Sequence, residues 1–238
     1  MRITQENIER ICPESDIYQA CLTFDDKRIL ELGCGKADLT RNIATGGSNR
    51  HITALEVDEI QYTKNLEITD LPNVSFKLAG AEKIPEPGNQ FDIVLMFKSL
   101  HHVPIESMMQ SMQEIHRVLK PGGFLYISEP IFDGEFNEVL RLFHDEQQVR
   151  LAAFQTTKTA VEKNIFRLSE QVFFNAPVFF EDIDEFEKKV INVTHSKHQL
   201  SAELLKQTKD RFNKHVKDDG AHFAMPIRVD LLQKSTLC

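Results

Sequence analysis

The stretch "ILELGCGKADLT", residues 29–40, decides how the rest of the chain is read. An apolar run carries one carboxylate, Glu31, and ends in two closely spaced glycines, Gly33 and Gly35. A hydrophobic run, a glycine loop and a helix-forming segment make a strand–loop–helix unit. In such a unit the bare backbone can approach a ligand closely, and the following helix points its N–H groups at it. Glu31 adds negative charge at the strand's end, where it could meet a cation. Glycine loops after a first strand serve many nucleotide binders, so this stretch alone names no ligand.

Outward from it, strands and helices alternate. "KRILELG", "HITALEV", "VSFKLAG", "FDIVLMFKSL" and "FLYISEP" read as strands. "ADLTRNIATG", "EIQYTKNLEIT" and "IESMMQSMQEIHRVL" read as the helices between them, with a "KPGG" turn before the fifth strand. Near-continuous apolar strands alternating with helices predict a parallel sheet covered on both faces. Residues 3–22 read as one or two amphipathic helices broken at Pro13. Beyond Pro130 the pattern changes. Residues 131–176 look mostly helical and are rich in phenylalanine. Residues 184–195 read as a strand, 201–216 as a helix opened by Ser201 and Glu203, and 222–234 as a closing strand in which Pro226 favours an edge or a bulge. The organisation expected is an N-terminal helical segment (1–28), a ligand-binding core (29–130), a Phe-rich helical lid or insertion (131–180) and strands and a helix completing the same sheet (181–238).

The bulk properties fit this picture. A chain of 238 residues, 41% hydrophobic and 27% charged, is long enough for one α/β domain with an appended lid. Its net charge of −8 argues against nucleic-acid binding through bulk electrostatics. Cys12, Cys21, Cys34 and Cys238 form no C-x-x-C pair and no zinc spacing, and reduced thiols in a cytoplasmic protein are expected. The opening "MRITQENIERICPESD" is too charged for a signal peptide. No run of about 18 apolar residues suggests a membrane span.

In an open α/β sheet, ligands bind beyond the carboxyl ends of the strands. Glu56 ends the second strand, 23 residues after Gly33, where a carboxylate can accept hydrogen bonds from the vicinal hydroxyls of a ribose. Asp58 is its rival. A solvated acidic loop is the plainer alternative.

Read together, "LELGCGKADLT", "ALEVD", "AGAEKIP", "FDIVLMFKSLHHV" and "EIHRVLKPGGFLYISEP" resemble, in order and spacing, the motifs of the class I S-adenosylmethionine-dependent methyltransferases. The resemblance covers about residues 29–130. It implies a Rossmann-like, doubly wound, mostly parallel sheet of seven strands with helices on both faces and a helical lid after the fifth strand. It also implies an S-adenosyl-L-methionine site drawn from Glu31, Gly33, Cys34, Gly35, Glu56, Val57, Gly80, Ala81, Glu82 and Phe97, with S-adenosyl-L-homocysteine as product and no metal. Two positions depart from the family's pattern. Ala37 stands where a third glycine is common. Ala79-Gly80-Ala81 lacks the aspartate that usually bonds the adenine amino group, and Glu82 or a backbone carbonyl is the expected substitute.

Methyl transfer of this kind is a direct displacement, in which alignment of the reactants supplies roughly 7–11 kcal/mol of the barrier. A base is needed only if the acceptor must lose a proton. His101 is the candidate, ahead of His102 and Glu129, since imidazole titrates near neutrality. "LHHV" as a packing and capping element is the alternative. Lys98 is expected to point to solvent, Arg228 to form a structural ion pair, and the Phe-rich segment either to close over an apolar acceptor or simply to form its own core. His195, His198, His215 and His222 are too scattered to suggest a metal. A small-molecule acceptor is the leading expectation. A tRNA or protein acceptor, an NAD-type Rossmann oxidoreductase and a non-catalytic binding protein on the same fold are the alternatives.

Overall fold

The computed structural model describes residues 1–192 and 200–236. Five parallel strands form its centre: β1 (Arg28–Leu32), β2 (His51–Glu56), β3 (Val74–Leu78), β4 (Phe91–Phe97) and β5 (Leu119–Pro130). Among the described residues the sheet has eight strands in the order β3-β2-β1-β4-β5-β8-β6. β8 (Gly220–Gln233) runs antiparallel between β5 and β6 (Arg167–Phe180), and the two-residue β7 (Val216–Lys217) pairs with the start of β8. The doubly wound, mostly parallel sheet expected from the sequence is present, with one short strand added.

Alternation along the strands distributes the core over both faces. Val94, Met96, Leu125 and Ile127 pack with Met108, Met112 and Ile115 of α4 (Ile105–Val118) and Ala153 and Ala160 of α6 (Gln147–Glu162). Ile93, Leu95, Phe97 and Tyr126 pack on the other face with Ile17 and Tyr18 of α1 (Glu14–Cys21) and Ile43 and Ala44 of α2 (Asp38–Thr45). α3 (Glu59–Asn65) follows β2, and the Asp58 carboxylate caps it by accepting N–H bonds from Ile60 at 2.9 Å and Gln61 at 3.4 Å.

Three local expectations are corrected. Residues 1–13 precede α1 without forming a helix. They run along the outer edge of β6, where Asn175 donates its N–H to the Arg10 carbonyl (2.8 Å) and accepts from the Cys12 N–H (3.2 Å). An edge strand otherwise exposes unpaired N–H and C=O groups, and this segment answers part of that demand. The Phe-rich stretch is helical only through α5 (Glu135–Leu140) and α6. From Arg167 it is β6, because its pairing with β8 over the whole length of the strand outweighs local helical character. Residues 184–192, expected to be a strand, form α7 (Ile183–Phe186) running into a π-helical turn, Glu187–Ile191. Asp182 caps that helix through the Glu185 N–H (2.8 Å), and the wider turn brings both Phe186 and Ile191 into one apolar cluster. The remainder of that expected strand, with His195, lies outside the described residues, as does His198 beyond it.

β6 and β8 continue as a two-stranded ribbon beyond the end of β5, whose pairing with β8 stops at Pro130–Ile227. Pro226 sits just past that point, where only β6 runs alongside, so its missing N–H breaks no ladder bond to β5. The ribbon carries a third core of Phe136, Phe180, Phe186, Phe212, Phe223 and Val139, closed by α5 and α8 (Ala202–Phe212). Phe186 is fully buried and meets Phe180 edge-on at 5.3 Å and Phe212 at 4.9 Å. Truncating a buried phenylalanine costs about 3–5 kcal/mol. Phe186→Ala should therefore lower unfolding free energy by that amount in a urea titration, whereas Phe179→Ala, at an exposed ring, should change it by under about 0.5 kcal/mol.

Candidate active site

The site lies at the carboxyl ends of β1, β2, β4 and β5. Gly33 and Gly35 have positive φ values of 76° and 52°, which let the chain turn sharply out of β1 into α2. Their roles differ. A Cβ on Gly33 would stand 2.8 Å from Ser99 Cβ, whereas a Cβ on Gly35 would meet nothing within 4 Å. Gly33 is therefore required by packing against the loop after β4, and Gly35 borders open space. Ala37, where the family often has glycine, also has a positive φ of 63°. The loop is tied down by Leu55 O, which accepts both the Gly33 and Cys34 N–H groups at 2.9 Å. Asn65 of α3 donates to Gly35 O at 2.8 Å and lies 3.5 Å from Cys34 Sγ. Burial pushes the Cys34 thiol pKa well up, so this side chain acts as a small apolar filler.

Glu56 is nearly buried and faces the same loop. Its carboxylate accepts N–H bonds from Gly35 (2.7 Å), Val57 (2.8 Å) and Asp58 (2.9 Å). A carboxylate has about four lone-pair sites, so one remains for an incoming hydroxyl. Asp58 is occupied as the cap of α3, which separates the two rivals by role. Val57 is exposed beside them. Glu31 is buried, and its carboxylate accepts the Thr40 hydroxyl at 2.6 Å. Burial pushes its pKa up to about 7, opposed by the Thr40 bond and reinforced by the charges of Glu14 and Glu56.

The loop after β3 is attached to β2 through the Ala79 N–H, which donates to Glu56 O at 3.1 Å. A Cβ on Gly80 would come within 2.3 Å of both carboxylate oxygens of Glu82. Glu82 thus occupies the place that a side chain at Gly80 would take. Ala81 is buried behind it. Phe97 closes the end of β4, edge-on to Tyr18 at 5.7 Å and tilted on Tyr126 at 5.5 Å.

His101 lies in a 3-10 turn, Leu100–His102, after β4 and is almost fully buried. Its Nδ1 pairs with Glu129 at the end of β5, and Glu129 also accepts the Leu100 N–H at 2.9 Å. Its Nε2 lies 3.5 Å from Glu146 Oε1. Burial would lower the imidazole pKa, but the Glu129 and Glu146 carboxylates outweigh it and hold the ring at about 9. Glu129 and Glu146 are held below the usual carboxylate range against their own burial, chiefly by His101.

Lys98 departs from expectation and Arg228 follows it. Lys98 pairs with Glu14 of α1 instead of pointing freely to solvent. Arg228 forms the expected ion pair, with Asp230 at 2.8 Å, and also lies 4.7 Å over the Phe154 ring. Glu146 and Arg150 were not anticipated. Arg150 donates to Glu146 Oε2 at 2.6 Å and to Asn137 Oδ1 at 3.0 Å, all buried. Two opposite charges four residues apart at the start of α6 was the available signal, but that pattern usually marks a solvated helix face. A surface cavity of about 280 Å³ lined by Arg28, His51, Asn73 and Phe91 lies at the opposite, amino ends of the strands, away from these groups.

Residues 29–123 match a family described as "Methyltransferase domain". Demethylmenaquinone methyltransferase of Listeria welshimeri is 33% identical over 129 residues, 48% of this chain and 54% of that protein. The ubiquinone/menaquinone biosynthesis C-methyltransferase UbiE of Coxiella burnetii is 31% identical over 114 residues, 46% and 45% of the two chains. The chain spans about half the length of these curated relatives. The YcgJ protein of Bacillus subtilis shares the fold at a TM-score of 0.62 with 16% identity, over 93% of this chain and 97% of that one. Over residues 29–123, which include β1 to β4 of the doubly wound sheet, the chain is thus similar to the methyltransferase domain.

The Glu31 pKa has a direct consequence for stability. The unfolded carboxyl ionises near 4.5 and the folded one near 7, so its contribution is full below pH 4.5 and is lost as pH rises through 7. Glu31→Gln should gain stability relative to the parent across this window, on the order of 3 kcal/mol by pH 7.5. Urea titrations of both proteins at pH 5 and pH 7.5 measure it.

Proposed function

We propose that the chain transfers a methyl group from S-adenosyl-L-methionine to a small-molecule acceptor by direct displacement, releasing S-adenosyl-L-homocysteine. One observation carries this reading: the open space beside Gly35, bordered by bare main chain on one side and the Glu56 carboxylate on the other. In this reading Glu56 receives a ribose hydroxyl on its spare lone pair and exchanges one amide bond for the second hydroxyl. Val57, Gly80, Ala81 and Glu82 border the adenine. Glu31, Cys34 and Phe97 border the methionine end, where the Glu31 charge offsets that of the donor. Such charge-assisted bonds are worth roughly 1.5–3 kcal/mol each.

The acceptor lies beyond β4 and β5, next to His101. Held by Glu129, this ring is the group placed to take a proton from the acceptor. Its pKa of about 9 favours the protonated ring at neutral pH, so the role requires that the donor's sulfonium, a second positive charge, drive its proton off. The names of the relatives, quinone-pathway methyltransferases, and the net charge of −8 both support a small molecule over tRNA.

Calorimetry with S-adenosyl-L-homocysteine should give one-to-one binding that Gly35→Val abolishes, at some cost in stability because valine is strained at the positive φ of this position; circular dichroism checks that the variant remains folded at the assay temperature. Gly33→Val should instead destabilise the fold, through its clash with Ser99. Heat with a nicotinamide nucleotide and none with S-adenosyl-L-homocysteine would overturn the donor assignment. With methyl-labelled donor and a cell extract, label should appear in the low-molecular-weight fraction; label in tRNA or protein would overturn the acceptor class. With the acceptor in hand, His101→Ala should lower kcat by about 10²–10⁴, and an unchanged rate would remove the base.

A further inference from the structure

We infer that His101, His102 and Glu146 form a binding site for one divalent transition-metal ion of the zinc type at the acceptor end of the sheet. Nothing in the spacing of the sequence points to it, since Glu146 is 44 residues beyond His102. The fold brings one ligand atom of each residue within 4.8 Å of the other two. Two imidazole nitrogens and a carboxylate oxygen suit zinc, cobalt or nickel better than calcium or magnesium.

Two distances favour an ion over a simple hydrogen bond. His101 Nε2 and Glu146 Oε1 are 3.5 Å apart, long for a charge-assisted hydrogen bond, which closes to about 2.7–2.9 Å. Ligands at about 2.0–2.1 Å from a tetrahedral zinc stand about 3.3–3.4 Å from one another, so the pair already has the spacing of a tetrahedral edge. The rings of His101 and His102 are 4.0 Å apart, so the second imidazole lies beside the first.

The groups behind the ligands are also in place. Metal-bound histidines commonly give their other ring nitrogen to a carboxylate, which fixes the ring and raises its basicity. His101 Nδ1 pairs with Glu129, leaving Nε2 as the ligand atom. Glu146 Oε2 accepts from Arg150 at 2.6 Å, leaving Oε1 as the ligand atom. His144 Nε2 lies 2.9 Å from that same Oε1, a contact the ion would replace or share. Three protein ligands leave a tetrahedral ion one open position, the arrangement of catalytic zinc sites. His102 is exposed, so that position opens outward, where an oxygen anion of the acceptor or a water would fill it.

This inference goes beyond the methyl-transfer reading and does not depend on it. Nε2 of His101 cannot hold an ion and take a proton at the same time. Binding sends the Nε2 proton to solvent, and an ion-loaded chain would lose any base catalysis that His101 provides.

The test uses the full chain without an affinity tag, stripped with a chelator. Titration with cobalt(II) chloride should give the intense visible absorption of a four-coordinate ion, saturating at one equivalent, and zinc chloride should displace it. His102→Ala, at an exposed residue, should fold normally by circular dichroism and weaken cobalt binding more than ten-fold. Glu129→Gln should weaken it about 10–100-fold. His51→Ala, at the opposite end of the strands, should bind as the parent does. Absence of saturable cobalt binding would overturn the proposal, as would parent-like binding in His102→Ala. S-Adenosyl-L-homocysteine calorimetry on the same samples is a separate readout: its failure bears on the donor site and leaves the metal result standing.

Discussion

Buried carboxylates at one end of a single sheet must each find a partner, and the loops around them are arranged by that need. An ionised carboxyl removed from water is costly unless it is hydrogen-bonded or paired. Glu56 is met by three backbone amides, which fixes the turn after β1 against the exit of β2. Glu129 holds the turn after β4 through Leu100 and His101. Glu146 anchors the start of α6 through Arg150. Glu31 has only the Thr40 hydroxyl, and burial leaves it with a raised pKa. The face is thus charge-balanced on its β5 side and short of positive charge on its β1 side. A cationic donor fits the deficient half, which is the electrostatic sense of the proposed orientation.

The β6–β8 ribbon gives the second half of the molecule its independence. Past Ile227 it leaves β5 and carries its own phenylalanine core, so the region above the site is anchored to the sheet through two strands instead of many. The notion of a segment that either closes over an acceptor or merely packs on itself becomes concrete here: the rings of Phe136, Phe180, Phe186, Phe212 and Phe223 pack on one another. Phe132 and Phe154 lie instead under Arg141, Arg150 and Arg228, at the border of the charged cluster.

The central sheet was legible because β1, β2, β4 and β5 are buried along most of their length on both faces and so read as largely apolar runs with punctuation at their ends, while the half-exposed β3 was legible from its place in the alternation. The glycine loop and Glu56 were legible because their spacing is local to one strand–loop–helix unit. β6 was not, since "RLSEQVFFNAPVFF" has no clean alternation and becomes a strand only when β8 lies beside it. The π turn after Phe186 was hidden for a similar reason, as β-branched and aromatic residues there imitate a strand. The Glu146–Arg150 pair looked like a surface i,i+4 contact, because burial is not written in the pair itself. Lys98 was misjudged because its partner, Glu14, is 84 residues away.

The antiparallel position of β8 also bears on how the chain is made. β6 emerges with no strand of the main sheet beside it, and β8 begins 40 residues after β6 ends. During synthesis from the amino end, the parallel half could condense while β6, with its bare edge and clustered phenylalanines, waits on the ribosome for its neighbour. Pairings that must await distant sequence are slow and prone to aggregation. The interval between translating residues 180 and 220 is therefore the stage at which a nascent chain of this protein most needs a chaperone's cover.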